Sequence, residues 1–274
     1  MTHSFGWIKD KWNDKAVYHL PKVITYPISA DMLSLCPPVR NQDGVGACTG
    51  FGIGGEVGTV AKAGGFFTEW FSPNWLYNGG RAIEGTLTQD AGAAPQDVFD
   101  WATAHGLLLE HFWPFIDKLD KAAPSSLRES EAVMYPDWQL VRVDNGLDGI
   151  LSALSEGHCV ALGSPWSQRW ENDVKADGIL DDPNGSMVAG GHETFLHGYD
   201  TTVSLFDGQN SWGTSFGKQG HYRMPFTSLQ WFKDNGGYDA HYVVFLNSPN
   251  PIPNPPASCG CPGTKLFRKL VKLY

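Results

Sequence analysis

Residues Pro37 to Glu56 read PPVRNQDGVGACTGFGIGGE, and this stretch decides how the rest of the chain is read. Gln42 and Cys48 stand six positions apart, with Asp43-Gly44-Val45-Gly46-Ala47 between them. That run is too rich in glycine to begin a helix early. After Cys48 come Phe51, Ile53, Val57 and Val60, separated by small Gly and Ala residues, which is the pattern of a buried helix packed tightly on its neighbours. The stretch therefore reads as a loop that delivers Cys48 to the first turn of a core helix. There the partial positive charge of the helix end favours a thiolate, and unused N–H groups can hold a carbonyl oxygen. A free cysteine can equally be one more small buried hydrophobe, so residues far downstream have to decide.

Two further stretches do so. Gly190-Gly191-His192-Glu193 opens a strand that ends Leu196-His197-Gly198-Tyr199-Asp200. Gln209-Asn210-Ser211-Trp212-Gly213-Thr214 follows. A thiol nucleophile needs a base, and the base needs a third group to fix its orientation. Cys48, His192 and Asn210 fit those roles in that order, and Gln42 can supply an amide donor to an oxyanion.

The Gln42-to-Cys48 spacing, His192 before a Gly-Tyr strand end, and Asn210-Ser-Trp-Gly together resemble the papain-like cysteine peptidases. The likeness extends through Ser72 to Gly85, the turn Gln89-Asp90-Ala91-Gly92-Ala93, His105-Gly106 before Phe112-Trp113-Pro114-Phe115, and Glu156-Gly157-His158. Gly6-Trp7 and Cys48-Thr49 are similar to motifs of the compact bacterial and bacteriophage members. The resemblance covers about residues 6–248. It implies a two-lobed α+β fold, with a helical N-terminal lobe, an antiparallel β-rich C-terminal lobe and the active site in the cleft between.

It also implies a mechanism: a resting Cys48–His192 thiolate–imidazolium pair, attack on a peptide carbonyl, and an acyl-enzyme hydrolysed by water. Asn210 would hold His192, and Trp212 would shield that hydrogen bond. Gly92 would line the substrate wall, where a missing side chain admits peptide backbone. No cofactor or metal is implied. The chain departs from the family pattern at Thr49, at Val45 (where a disulfide cysteine is usual) and at Glu193. Glu193 either raises the imidazolium pKa or points to solvent, and solvent is the expected direction. The segment before Gln42 is short for a full inhibitory propeptide, so control is expected from location, a partner or the N-terminal arm.

Read without the resemblance, the order of elements also gives α+β. Ser72-Pro73 marks a helix start, and Gln96–His105 is a helix closed by Gly106. Leu147–Leu154 is a helix ended by Gly157. Trp138–Val143, Cys159–Gly163, Thr194–Tyr199, Ser204–Phe206, Gly220–Met224 and Tyr242–Leu246 read as strands. Residues 1–30 form a polar arm laid across the surface, 31–248 the peptidase domain, and 249–274 a proline-rich linker with a short basic amphipathic tail.

The net charge of −9 argues against general nucleic-acid binding. No run approaches the ~20 apolar residues of a membrane span, and the N-terminus has no apolar core of a secretory signal. Five scattered cysteines suggest a reducing, cytoplasmic setting, with a phage particle as the alternative. Cys36, His158, Cys159 and His197 read as packing residues, and Asp90 and Asp97 as turn or helix-start residues. Cys259 and Cys261 read as incidental to a flexible linker, with a redox pair or half a metal site as the alternative. The tail, with Lys265, Arg268, Lys269 and Lys272 on one face, is expected to dock on a protein groove through residues 264–274. The alternatives to a peptidase are a structural component of a larger assembly that retains the fold, and a hydrolase of cell-wall peptide amides.

Overall fold

Cys48 does start a helix. In the computed structural model, which describes residues 3–11, 13, 15–21, 25–65, 70–132, 138–172 and 176–245, α1 runs Cys48–Ala63. Ala47 at its N-cap gives no side-chain bond. Its place is fixed by packing instead. A Cβ on Gly50 would lie 2.6 Å from Pro73 O, and one on Gly55 would lie 2.4 Å from the Phe195 ring. The small residues thus let α1 sit closely between the second helix and the sheet.

Helix α2 (Pro73–Glu84) begins as its sequence indicates. Ser72 Oγ accepts from Trp75 N at 3.1 Å, Pro73 is the first helical residue, and Gly85 closes the helix with φ +74°. Helix α3 (Pro95–His105) ends at Gly106, where φ is +81°. These three helices bury Ile53, Trp75, Leu76, Val98, Phe99, Leu107 and Leu108 in one apolar core. The remaining helices are α4 (Ser126–Glu129), α5 (Gly146–Ser155), α6 (Gln168–Asn172) and α7 (Ser228–Asp234).

The second core lies on an eight-stranded sheet of β1 (Val17–Tyr18), β2 (Ser29–Asp31), β3 (Trp138–Arg142), β4 (Val160–Ser167), β5 (Val188–Asp200), β6 (Leu205–Gln209), β7 (His221–Pro225) and β8 (Asp239–Phe245). The order is β1-β3-β8-β4-β5-β6-β7, with β2 beside β5. Only the β1–β3 pair among these is parallel. Val160, Leu162, Trp166, Leu196, Phe206, Tyr222 and Phe232 fill this core. Helices first and a largely antiparallel sheet later is the expected α+β division.

The structure moves some expected boundaries. Strand β4 continues past Gly163 to Ser167, and β5 begins at Val188, because all of β4 pairs with Val188–Leu196 of β5. Strand β8 begins at Asp239, three residues before the expected Tyr242. Residues 246–274, with Leu246, Cys259, Cys261 and the basic tail, lie outside the described residues.

The arm is the larger correction. It does not simply cross the surface. Strand β1 joins the sheet edge at β3, and Ser29–Asp31 pairs with Gly198–Asp200, so position 30 falls inside a strand. Its first part enters the groove between β5 and the turn before α3. Gly6 N and Trp7 N donate to Gly191 O, at 3.0 and 2.9 Å. Ala93 N donates to Gly6 O at 2.9 Å, and Ile8 N to Ala93 O at 3.2 Å. A backbone with both edges paired to the domain in this way is held as part of the fold.

Candidate active site

Cys48, His192, Asn210 and Gln42 come from four places in the fold, and the arm runs along them: Gly6 N–H bonds Cys48, Ser4 O accepts from Gln42, and Phe5 faces His192, which holds Asn210. Cys48 is the first residue of α1, His192 lies in β5, and Asn210 directly follows β6. The loop carrying Gln42 is tied to the loop carrying Trp212. Gln42 N donates to Ser211 O at 2.8 Å, Gly213 N to Arg40 O at 3.0 Å, and Ser211 Oγ to Gln42 Oε1 at 2.6 Å. From the other side, the Asp90 carboxylate accepts from Gly46 N, at 2.9 and 3.1 Å, and from Tyr77 Oη at 2.6 Å. Asp90 is therefore more than a turn residue, since it clamps the loop before Cys48.

His192 Nε2 donates to Asn210 Oδ1 at 2.8 Å. That bond fixes the tautomer, leaving the lone pair on Nδ1, which is buried and without a hydrogen-bond partner. Trp212 stacks on the imidazole at 4.5 Å and 28°, and Trp166 meets it edge-on at 4.9 Å. The Asn210–His192 bond thus lies under aromatic cover from Trp212 and Trp166.

The electrostatic state differs from the expected ion pair. Cys48 is completely buried, and its thiol is pushed up to about 12, first by burial and then by the charge of Glu193. The N–H groups of Glu193, Gly6 and Thr49 act in the opposite direction. Against an ordinary thiol at 9.0 this rise corresponds to roughly 4 kcal/mol. A helix N-terminus offers only about 0.3–1 kcal/mol in favour of the anion, so burial wins. His192 is drawn down to about 3, again chiefly by burial, with the Asn210 hydrogen bond opposing and His3 reinforcing. Thiol and imidazole both rest neutral in this state.

The arm is what buries them. Gln42 Nε2 donates to Val45 O at 2.8 Å and to Ser4 O at 3.1 Å. The donor expected for an oxyanion thus already holds a peptide carbonyl. His3 stacks on Trp212 at 4.0 Å and 4°, and Phe5 meets His192 and Trp212 edge-on at 6.1 and 5.8 Å. Gly92, with φ +81°, runs beside the arm, and a Cβ there would lie 2.3 Å from Gly6 O. Only glycine allows that backbone approach. All the expected site residues therefore face one groove, and peptide backbone of the chain itself occupies it.

Glu193 does not point to solvent. It is completely buried, and burial together with the neighbouring Asp10, Asp239 and Glu56 raises its carboxyl well above the usual range. Its alternation in β5 sends it inward, toward α1, where a Cβ on Gly52 would lie 2.8 Å from its Cγ. His197 is buried as expected. Its Nδ1 lies 3.4 Å from Asp31 Oδ1, and its ring is edge-on to His221. Cys36 and Cys159 pack together beside Phe195.

The sequence reading missed Trp166 and Ser211. Carrying β4 on to Ser167, with Trp166 opposite Gly190, would have placed Trp166 beside His192. Ser211 stands in the Asn-Ser-Trp-Gly block itself, between the imidazole's partner and the indole over it.

Compared with solved structures, the chain matches xylellain, a cysteine protease from Xylella fastidiosa, with a TM-score of 0.78 and 20% identity over 90% of this chain and 97% of that one. The chain has the papain-like fold. Digestive procathepsin L 3 of Tenebrio molitor larval midgut aligns with a TM-score of 0.62 and 15% identity, over 84% of this chain and 74% of that one. An uncharacterised peptidase C1-like protein of Acanthamoeba polyphaga mimivirus is 23% identical over 231 residues, 80% of this chain and 71% of the relative. No protein-family model matches the chain. The papain-like fold accounts for the cleft between the helical core and the sheet, in which the arm lies.

Proposed function

We propose that this chain is a cysteine peptidase that hydrolyses peptide bonds through Cys48, His192 and Asn210, and that residues 3–10 hold it closed. The observation that carries the reading is the Ser4 carbonyl on Gln42 Nε2. A peptide group of the arm rests on the donor that a scissile carbonyl would need, within a groove whose two walls hydrogen-bond extended backbone.

With the arm displaced, water reaches the cleft and the burial that holds Cys48 and His192 neutral is relieved. Nδ1 of His192, held as a lone pair by the Nε2–H bond to Asn210, takes the thiol proton. The thiolate adds to the peptide carbonyl, and Gln42 Nε2 with the Cys48 N–H stabilises the oxyanion. Imidazolium His192 protonates the departing amine, leaving a thioester. His192 then accepts a proton from water, which hydrolyses the thioester and frees Cys48. Ser211 keeps Gln42 Oε1 occupied, so its Nε2 stays turned to the cleft.

A reducing compartment suits this chemistry, and the free thiols of Cys36, Cys48 and Cys159 support it. Kinship with bacterial and bacteriophage forms belongs to the same proposal, through Gly6-Trp7 and Cys48-Thr49. The test is hydrolysis of a casein or mixed fluorogenic peptide substrate by full-length protein and by Gly6→Val, in which the added Cβ would stand 1.7 Å from Gly46 O and expel the arm. Hydrolysis is expected in Gly6→Val, to be abolished by adding Cys48→Ala and to fall by about 10⁴-fold or more on adding His192→Ala. Hydrolysis that survives Cys48→Ala would overturn the assignment.

A further inference from the structure

On the opposite face of β5 from His192, the groove carries a second feature that the reaction at Cys48 does not use. Glu193 of β5, Gly163 of β4 and Asp239 of β8 are direct neighbours in register. Paired residues on adjacent strands project to the same face of a sheet. Two carboxyl groups therefore flank a position that has no side chain. The indole of Trp7 fills the resulting hollow. A Cβ on Gly163 would lie 2.1 Å from Trp7 Nε1 and 2.9 Å from Glu193 Oε2. At Gly191, two positions before Glu193, a Cβ would lie 2.4 Å from Trp7 O.

The hydrogen bonding in the hollow is incomplete. Asp239 Oδ2 accepts from Trp7 Nε1 at 3.1 Å and from Asp10 N at 2.9 Å, so both donors belong to the arm. Glu193 is 0% exposed, and neither of its oxygens has a hydrogen-bond partner. The charges that bear on it are those of Asp10, Asp239 and Glu56, every one a carboxyl group. Arg142 is 2.7 Å from Asp10 of the arm, and the His241 ring is 3.0 Å from it; neither is among the groups that bear on Glu193.

We propose that the hollow filled by Trp7 is a side-chain subsite that selects a lysine or arginine of the substrate through Glu193 and Asp239. The inference rests on the peptidase reading. When the arm leaves, Asp239 loses both of its donors, and Glu193 has none to begin with. An aliphatic stem can cover the apolar surface that the indole covers, while an ammonium or guanidinium head brings several donors and the opposite charge. A neutral or acidic side chain would leave two carboxylates facing each other unpaired.

The arm itself provides a test that needs no catalysis. Full-length Trp7→Lys, Trp7→Leu and Trp7→Glu proteins, each shown to be folded by thermal melting, are treated with iodoacetamide, and Cys48 alkylation is followed by mass. Lysine should seat the arm best, so the expected order of rates is Glu above Leu above Lys, with Lys slower than Leu by about tenfold. The gap between Lys and Leu should vanish when Glu193→Gln and Asp239→Asn are added. A Lys variant labelled as fast as the Leu variant would overturn the subsite.

The second readout is a positional peptide library on full-length Gly6→Val. Cleavage that favours Lys or Arg at one position, lost in Glu193→Gln/Asp239→Asn, supports the subsite. Cleavage indifferent to a cation at every position overturns the subsite and leaves the peptidase reading intact. Charge-ordered alkylation with no peptide cleaved upholds the cation-selective hollow and overturns the peptidase reading instead.

Discussion

The two faces of β5 at His192 and Glu193 are buried by the same stretch of arm, yet they hold their polar groups differently. Around His192, Nε2 is matched to Asn210, Gln42 is bonded at both ends of its amide, and aromatic rings cover the rest. Around Glu193 the carboxyl oxygens face no donor, and Asp239 relies on the arm. The first keeps its imidazole and amide in place through the domain's own groups, while His192 Nδ1, Asn210 Nδ2 and Trp212 Nε1 stay unpaired beneath the arm. The second is incomplete and calls for a group that the domain does not supply. A reaction centre must hold its geometry whatever substrate arrives, whereas a subsite discriminates by what it lacks.

The comparison breaks most visibly at Gln42. In an arm-displaced Gly6→Val background, Gln42→Ala removes an oxyanion donor, and kcat for peptide hydrolysis is expected to fall by about 10²–10³-fold with little change in KM. A loss confined to KM would mean that Gln42 only positions the arm. The change on the other face of β5, Glu193→Gln, removes a charge that opposes the Cys48 thiolate, and it should move selectivity among peptides more than the turnover of neutral ones.

The pH dependence of stability sharpens the contrast, because the two faces have opposite signs. His192 titrates at about 3 in the fold against 6.5 as an ordinary imidazole. Its contribution is present above 6.5 and is lost as pH falls toward 3, since only the unfolded chain takes up the proton over that range. The full loss amounts to about 4–5 kcal/mol. Glu193 is raised above its ordinary 4.5. Its contribution is present below 4.5 and is lost as pH rises through the higher folded value. Denaturant unfolding from pH 4 to 8 should therefore show a shallower acid-side fall in His192→Ala and a shallower fall with rising pH in Glu193→Gln. Equal slopes in both variants and wild type would remove the physical basis of the contrast.

The smallest expected effect is at the clamp that supports the first face. Asp90→Ala frees Gly46 N and Tyr77 Oη and should lower unfolding stability by about 1–3 kcal/mol, with a wild-type pattern of peptide preference. A changed preference with unchanged stability would show that Asp90 belongs to the substrate groove and not to the loop that presents Cys48.

The helical lobe was legible because its signals are local. Ser72-Pro73 caps α2, Gly106 closes α3, and the glycines of α1 announce a tightly packed helix. Cys48, His192, Asn210 and Gln42 could be singled out as candidates because their spacing on separate motifs needs no knowledge of the loops between. Glu193 was not, since a charged residue beside a strand glycine suggests solvent. Only the pairing of β5 with β4 shows that its face of the sheet is closed by α1 and the arm. The path of the arm was not legible either. Phe5, Gly6 and Trp7 carry no periodic pattern, and their partners Gly191, Ala93 and Asp239 are remote in sequence. The resting ionisation of Cys48 followed from the same omission, because a helix N-terminus argues for a thiolate only while water can reach it.

The central claim is that peptide of the arm occupies a competent site. Its most direct test is labelling of full-length wild type and Gly6→Val by a peptidyl epoxide at neutral pH, read by intact mass and peptide mapping. Gly6→Val loses two backbone hydrogen bonds to the cleft walls, each worth about 1 kcal/mol, so a single adduct on Cys48 should form about 30-fold faster than in wild type. Equal slow labelling of both proteins, with Cys48 no more reactive than Cys36 or Cys159, would contradict the account.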